Sequence, residues 1–149
     1  MTSVRKATPA ATAVLRQATA IKPSRMKASD GILPSPAHIL QNPNSDHNTG
    51  LAVDLTHDKL GGIDCQNIYE QLKKDKRVKY LIFKGQIWMP GKGDKPYTGS
   101  NPHNKHLHIS INKGYEDDTS PWFPWLGKPK TINKVKAAIK PLPKKKVNE

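Results

Sequence analysis

Cysteine is almost missing from this 149-residue chain, where Cys65 stands alone. A single thiol excludes an internal disulfide and any metal site built on several cysteines, so a bound metal would have to rely on histidine and carboxylate. Acidic residues are scarce too: 12 Asp and Glu face 25 Lys and Arg, for a net charge of +13. Apolar residues make up 35% and aromatics 6%, short of the ~45–50% apolar share of ordinary soluble domains. The core should therefore be modest and some of the chain extended. No long apolar run is found in the first 25 residues, which carry Arg5, Lys6, Arg16, Lys22 and Arg25. Neither a secretory signal nor a membrane span is expected.

The charge is not spread evenly. Residues 1–40 hold six Lys and Arg against Asp30, and residues 128–149 hold eight Lys against Glu149, so the two ends supply +12 of the net +13. The middle is nearly balanced. At this length one fold must carry the whole function. Three stretches follow: a basic N-terminal segment with a short helix (1–22), a central domain (23–127), and a Lys/Pro-rich basic tail (128–149).

Alanine-rich residues 8–20 read as a short helix ending before Pro23 and resting on the domain edge. Residues 28–46, dense in Pro, Asn, Ser and Asp, read as an irregular loop. Leu51 to Thr56 alternates as a strand, with Asp54 near its end. Asp64 is placed to cap a helix running to about Asp75, with Ile68, Tyr69 and Leu72 at helical spacing. Val78–Phe83, Lys84-Gly85 and Gln86–Met89 read as a hairpin. Residues 90–105 read as a loop and Leu107–Ile111 as a last strand with His106 at its mouth. The sum is an α+β fold with a small antiparallel sheet, a few helices and long loops.

Four of the six histidines fall in two stretches, Ser45-Asp46-His47-Asn48-Thr49-Gly50-Leu51-Ala52-Val53-Asp54 and His103-Asn104-Lys105-His106-Leu107-His108. Strand side chains two apart share a face, so His106 and His108 point into one space while Leu107 enters the core. A catalytic zinc needs three protein ligands and an open position for water, and His47, Asp54 and His108 would supply the three. His106 is the candidate base.

The spacing Ser-x-His-x-x-Gly-x-Ala-x-Asp followed by His-x-His resembles the zinc D-Ala-D-Ala carboxypeptidase and dipeptidase family, which is related to lysostaphin-type peptidases and the hedgehog domain. The segments ASDGILPSPAH (28–38), YLIFKGQIW (80–88), PYTGSNPHNKHLHIS (96–110) and DDTSPW (117–122) extend the resemblance to small phage-encoded members, over roughly residues 20–125. It implies a hedgehog/DD-peptidase-like fold, one Zn2+ on His47, Asp54 and His108, and hydrolysis of peptidoglycan stem peptides by a phage endolysin or virion-associated lysin. The location would be the host cytoplasm before release to the wall, or the virion. Ser45 falls on the family's motif serine, and Arg25 on the place of a substrate-anchoring arginine by chain order.

One position departs from the family. The residue three before the last zinc ligand, acidic in several members, is here Lys105, which cannot act as a base at neutral pH unless strongly desolvated. The catalytic candidates are therefore His106 as base, His103 as helper or oxyanion donor, and Arg25; Ser45, Asp46, Trp88 and Tyr97 are the candidate substrate contacts. Trp88, Tyr97, Trp122 and Trp125 have core packing as their competing reading, His38 and His57 read as polar surface, and Cys65 as a small buried residue. The basic ends suit anionic wall polymers or other virion proteins. Lacking interleaved aromatics, they give no signature of specific nucleic-acid binding. Two rivals remain: a metal-binding structural virion or wall protein without activity, and a basic nucleic-acid-binding module with incidental histidines.

Overall fold

The computed structural model describes residues 6–34, 36–99 and 103–126. The Lys/Pro tail and the first five residues lie outside the described residues, as does the side chain of His38. Helices α1 (Pro9–Ile21) and α2 (Pro36–Gln41) and a 3-10 turn (Asp46–Thr49) precede strand β1 (Ala52–Thr56). Helix α3 (Cys65–Leu72) follows, then β2 (Val78–Phe83), β3 (Gln86–Met89), β4 (Gly93–Pro96) and β5 (His106–Ile111). The strands form one five-stranded sheet in the order β1-β5-β2-β3-β4, antiparallel at every pairing. The fold is α+β.

Local chemistry accounts for the elements. Thr8 caps α1 by accepting from the Ala11 amide at 3.2 Å, and Pro9 occupies the first turn, where its missing N–H costs nothing. Asp64 caps α3 through the Gln66 amide. The β2–β3 hairpin turns on Lys84 and Gly85, both at positive φ (47° and 78°), the conformation that matches the twist of two paired strands. Strand β4 replaces the loop expected over 90–105: Lys95 pairs with Ile87 and Asp94 with Trp88, pairings too short and polar to show as alternation.

Register divides the sheet into two faces. Val53, Leu55, Leu81, Phe83, Leu107 and Ile109 point to the side covered by α1 and α3 and form the core with Trp122 and Phe123. Helix α1 is part of that core and not an edge feature, since Ala10, Ala11, Val14 and Ala18 are fully buried. Small alanines let it lie close to the sheet. Gln17 stitches the C-terminal segment to it, donating to the Thr119 carbonyl and accepting from the Trp122 amide. The opposite face presents Asp54, Thr56, Tyr80, Ile82, His106, His108 and Ser110.

Candidate metal centre

Asp54 and His108 are direct partners across the β1–β5 ladder, so their side chains leave the sheet together on one face. His106 and Ser110 flank His108 on that face at two-residue spacing. His47 reaches the same place from the 3-10 turn. Ser45 caps this turn, its hydroxyl accepting from the His47 amide at 3.2 Å. Gly50 ends the turn at φ 73°, its N–H directed to the Asp46 and His47 carbonyls. A Cβ at Gly50 would lie 2.2 Å from the Lys6 carbonyl oxygen, and Thr8 clamps the Gly50 carbonyl with its hydroxyl at 2.7 Å. Only glycine fits where the N-terminal segment crosses the motif.

The expected ligand set comes together. His47 Nε2 lies 3.2 Å and His108 Nδ1 3.4 Å from Asp54 Oδ1, and the three residues offer ligand atoms all within 4.8 Å of one another. Each imidazole is oriented through its other nitrogen. His47 Nδ1 meets the Ile32 carbonyl at 2.7 Å; a carbonyl can only accept, so Nδ1 carries the proton, and in the neutral ring the lone pair is then on Nε2, the nitrogen turned toward Asp54. His108 Nε2 meets Ser110 Oγ at 2.8 Å, an arrangement that leaves Nδ1 facing Asp54 when Nε2 donates. Such outer contacts are what a metal-binding histidine needs to hold its tautomer. Tyr80 stacks on the His108 ring at 5.4 Å and 12°.

Two buried polar atoms mark the space these groups surround: Asp54 Oδ1 and His106 Nε2 have no hydrogen bond of good geometry. Leaving them so is costly unless a cation or proton is shared there. Burial would raise the Asp54 carboxyl, yet the adjoining His108 and His47 outweigh it and hold the group well below the usual carboxylate range. Burial pulls His108 down despite Asp54, favouring neutral imidazole. For His47, burial also acts downward, but Asp54 overcomes it and raises the group. A carboxylate flanked by imidazoles, with cysteine absent, is a donor set for a borderline divalent metal.

His106 and His103 complete the wall. His106 Nε2 lies 3.5 Å from Asp54 Oδ2, and the two histidine rings sit edge to face at 4.8 Å. His103 takes φ 62°, uncommon for a residue with a Cβ, while its carbonyl accepts from the Lys84 amide in the hairpin turn. Tyr97 packs edge-on against His103 at 5.6 Å.

Two expectations are corrected. Arg25 is no substrate anchor: its side chain is 1% exposed and bound to Asp30 at 2.6 Å, with further hydrogen bonds to Thr19 and to the Met26 and Leu15 carbonyls. Its effect on the site is indirect. Asp30 accepts from the Thr56 amide and hydroxyl, and Gly31 forms a bridge with Asp54, so the pair pins the loop that presents the Ile32 carbonyl to His47. Ser45 positions His47 through its cap. Trp88 is paired with Leu81 and lies on the core face of the sheet, away from the histidines. Trp122 is likewise core, fully buried beneath the Arg77 guanidinium at 3.6 Å.

Of the remaining candidates, Asp46 is ion-paired to Lys79 at 3.1 Å through both oxygens. His57 is not loose surface, since its Nδ1 accepts from the Cys65 amide at the start of α3. The Cys65 thiol is pushed up to about 12 by burial, which removes it as a nucleophile. Tyr80, Ser110 and the Ile32 carbonyl were not singled out from the sequence. Ser110 lies two residues beyond His108 and shares its face, a signal that was available; the carbonyl left none.

Residues 3–108 match the family described as VldE, C-terminal domain, a span that takes in His47, Asp54, His103 and His106 and ends on His108. No curated protein and no solved structure matches the chain.

Proposed function

The chain belongs to the VldE C-terminal domain family, and from that starting point we propose that it is a zinc metallopeptidase hydrolysing an amide bond in bacterial peptidoglycan stem peptides. Family membership by itself names no reaction, so the reading rests on the site. The observation that carries it is the convergence of His47 Nε2, Asp54 Oδ1 and His108 Nδ1, each imidazole fixed from behind. The substrate class comes from the sequence resemblance to zinc D-Ala-D-Ala carboxypeptidases, as does a phage lysin setting. Wall polymers or virion proteins remain the proposed partners of the basic ends. No helix among the described residues is long and apolar enough to cross a membrane.

His47, Asp54 and His108 would hold the zinc, which when bound supplies a water of pKa ~7 and polarises the scissile carbonyl. The chain's own residues do the rest. His106, beside the second Asp54 oxygen, accepts the proton as general base and returns it to the leaving amine. His103 steadies the developing oxyanion, and Tyr97 gives the substrate an aromatic edge at the mouth. Asp54, kept ionised, gives the ligand set its one negative charge.

One observation favours a second reading, a metal-binding structural or wall-binding protein without turnover. Lys105, exposed, stands in the place where the resembling enzymes carry an acid, so the carboxylate of those enzymes has no counterpart at that position. Muropeptide release from purified peptidoglycan separates the two. The zinc-loaded chain should release products, the chelated chain none, and His106→Ala should keep zinc while losing at least about 100-fold in rate, the usual weight of a general base. Zinc binding without release from any wall type would establish the structural reading instead.

A further inference from the structure

Asp54 has two carboxylate oxygens and they face different partners. Oδ1 looks toward His47 and His108; Oδ2 looks toward His106. Asp54, His103 and His106 themselves form a second group whose ligand atoms lie within 4.8 Å of one another. Two three-residue sets thus share one aspartate on one sheet face. His106 Nε2 is buried and without a hydrogen bond, aimed at the side of Asp54 that the first set does not use. His103 is fixed in position from two directions, by the Lys84 amide on its carbonyl and by Tyr97 against its ring. Lys105, the cation nearest in sequence, is exposed.

We infer that His103, His106 and Asp54 Oδ2 form a second, weaker zinc site, and that filling it stops turnover. The inference rests on the first site and on His106 as the base proposed above. Two imidazoles and a carboxylate oxygen are a sufficient zinc donor set, and a carboxylate can span two cations about 3.5–4 Å apart. The second ion is held more weakly because it shares the single negative charge of Asp54 with an ion already bound, and the two dications repel. An imidazole nitrogen bound to metal has no lone pair left to accept a proton. The same histidines that serve catalysis at low zinc would therefore be occupied at high zinc, giving inhibition by excess metal without any separate regulatory domain.

Equilibrium dialysis of the full chain against increasing free zinc, run beside muropeptide release, tests this. The expected result is two zinc ions per chain, the second binding at least about tenfold more weakly, with release falling as the second fills. His103→Ala and His106→Ala should each bind one zinc with the wild-type first affinity, which also shows that the variants fold; His108→Ala should lose the tighter ion. Binding that stops at one zinc in the wild type overturns the second site while leaving the peptidase reading intact. A second ion that persists in both His103→Ala and His106→Ala, or loss of both ions from either, overturns it as well. No zinc bound at any concentration removes both readings together.

Discussion

Asp54 and His108 occupy directly opposed positions on β1 and β5, and His108 Nδ1 comes within 3.4 Å of Asp54 Oδ1. The site is thus built largely into the sheet ladder, where register fixes which side chains meet. Of the three residues His47, Asp54 and His108, only His47 arrives from outside it, and its position depends on the 3-10 turn and on the loop that carries Ile32.

Ser110 orients His108 by a 2.8 Å contact on a fully buried hydroxyl. Ser110→Ala should weaken zinc affinity about 10–100-fold, the usual effect of losing an outer-shell partner, with little change in fold. Competition with a chromogenic chelator measures it. Unchanged affinity would mean that Tyr80 stacking alone holds the ring.

Arg25 and Asp30 form a buried pair that organises the 28–34 loop. Arg25→Ala should cost about 3–5 kcal/mol of folding stability, because it strands a partly buried carboxylate. Urea unfolding reads the loss directly. A variant of wild-type stability with a raised KM would instead return Arg25 to the role of substrate anchor.

The same pair gives the protein an acid-sensitive component. Burial would raise the Asp30 carboxyl, but hydrogen bonds from Arg25 and Thr56 prevail and lower it. A carboxyl lowered on folding stabilises the native state above its unfolded value of ~3.9, and that stabilisation is lost as pH falls through the lower folded value. Between pH 6 and pH 3 the urea midpoint should fall more steeply for wild type than for Asp30→Asn. Equal slopes would show that Asp30 contributes nothing to acid lability.

Gly50 sits at φ 73° with the Lys6 carbonyl in the way of any Cβ. Gly50→Ala should destabilise by at least about 1–2 kcal/mol from the left-handed backbone alone, and more from the backbone clash. Because Gly50 closes the turn that carries His47, zinc affinity should fall together with the thermal midpoint. A stable variant with wild-type zinc binding would show that the N-terminal segment gives way without disturbing the site.

The three candidate ligands were legible because each stands in a short, patterned stretch: His47 and Asp54 within one motif, His108 two residues beyond His106 on an alternating strand. The Lys84-Gly85 hairpin and the Asp64 cap were legible because they rest on local backbone chemistry. Arg25 and Trp88 were not, since both depend on partners distant in sequence or on register. Nothing in Arg25 itself distinguishes an anchor from half of a buried ion pair until Asp30 and Thr56 are placed around it. Trp88 lies on a strand whose two faces differ only in what covers them. Helix α1 was read as peripheral because alanine carries little hydrophobic signal, yet small size is what allows it to lie against β1.

The most direct test of the account is muropeptide release from purified peptidoglycan as zinc is returned to the metal-free chain one increment at a time. The expected result is no release without metal, a rise that is complete at one zinc per chain, and no rise at all in Asp54→Ala. Release that survives chelation, or its absence at every zinc level, would contradict a peptidase built on His47, Asp54 and His108.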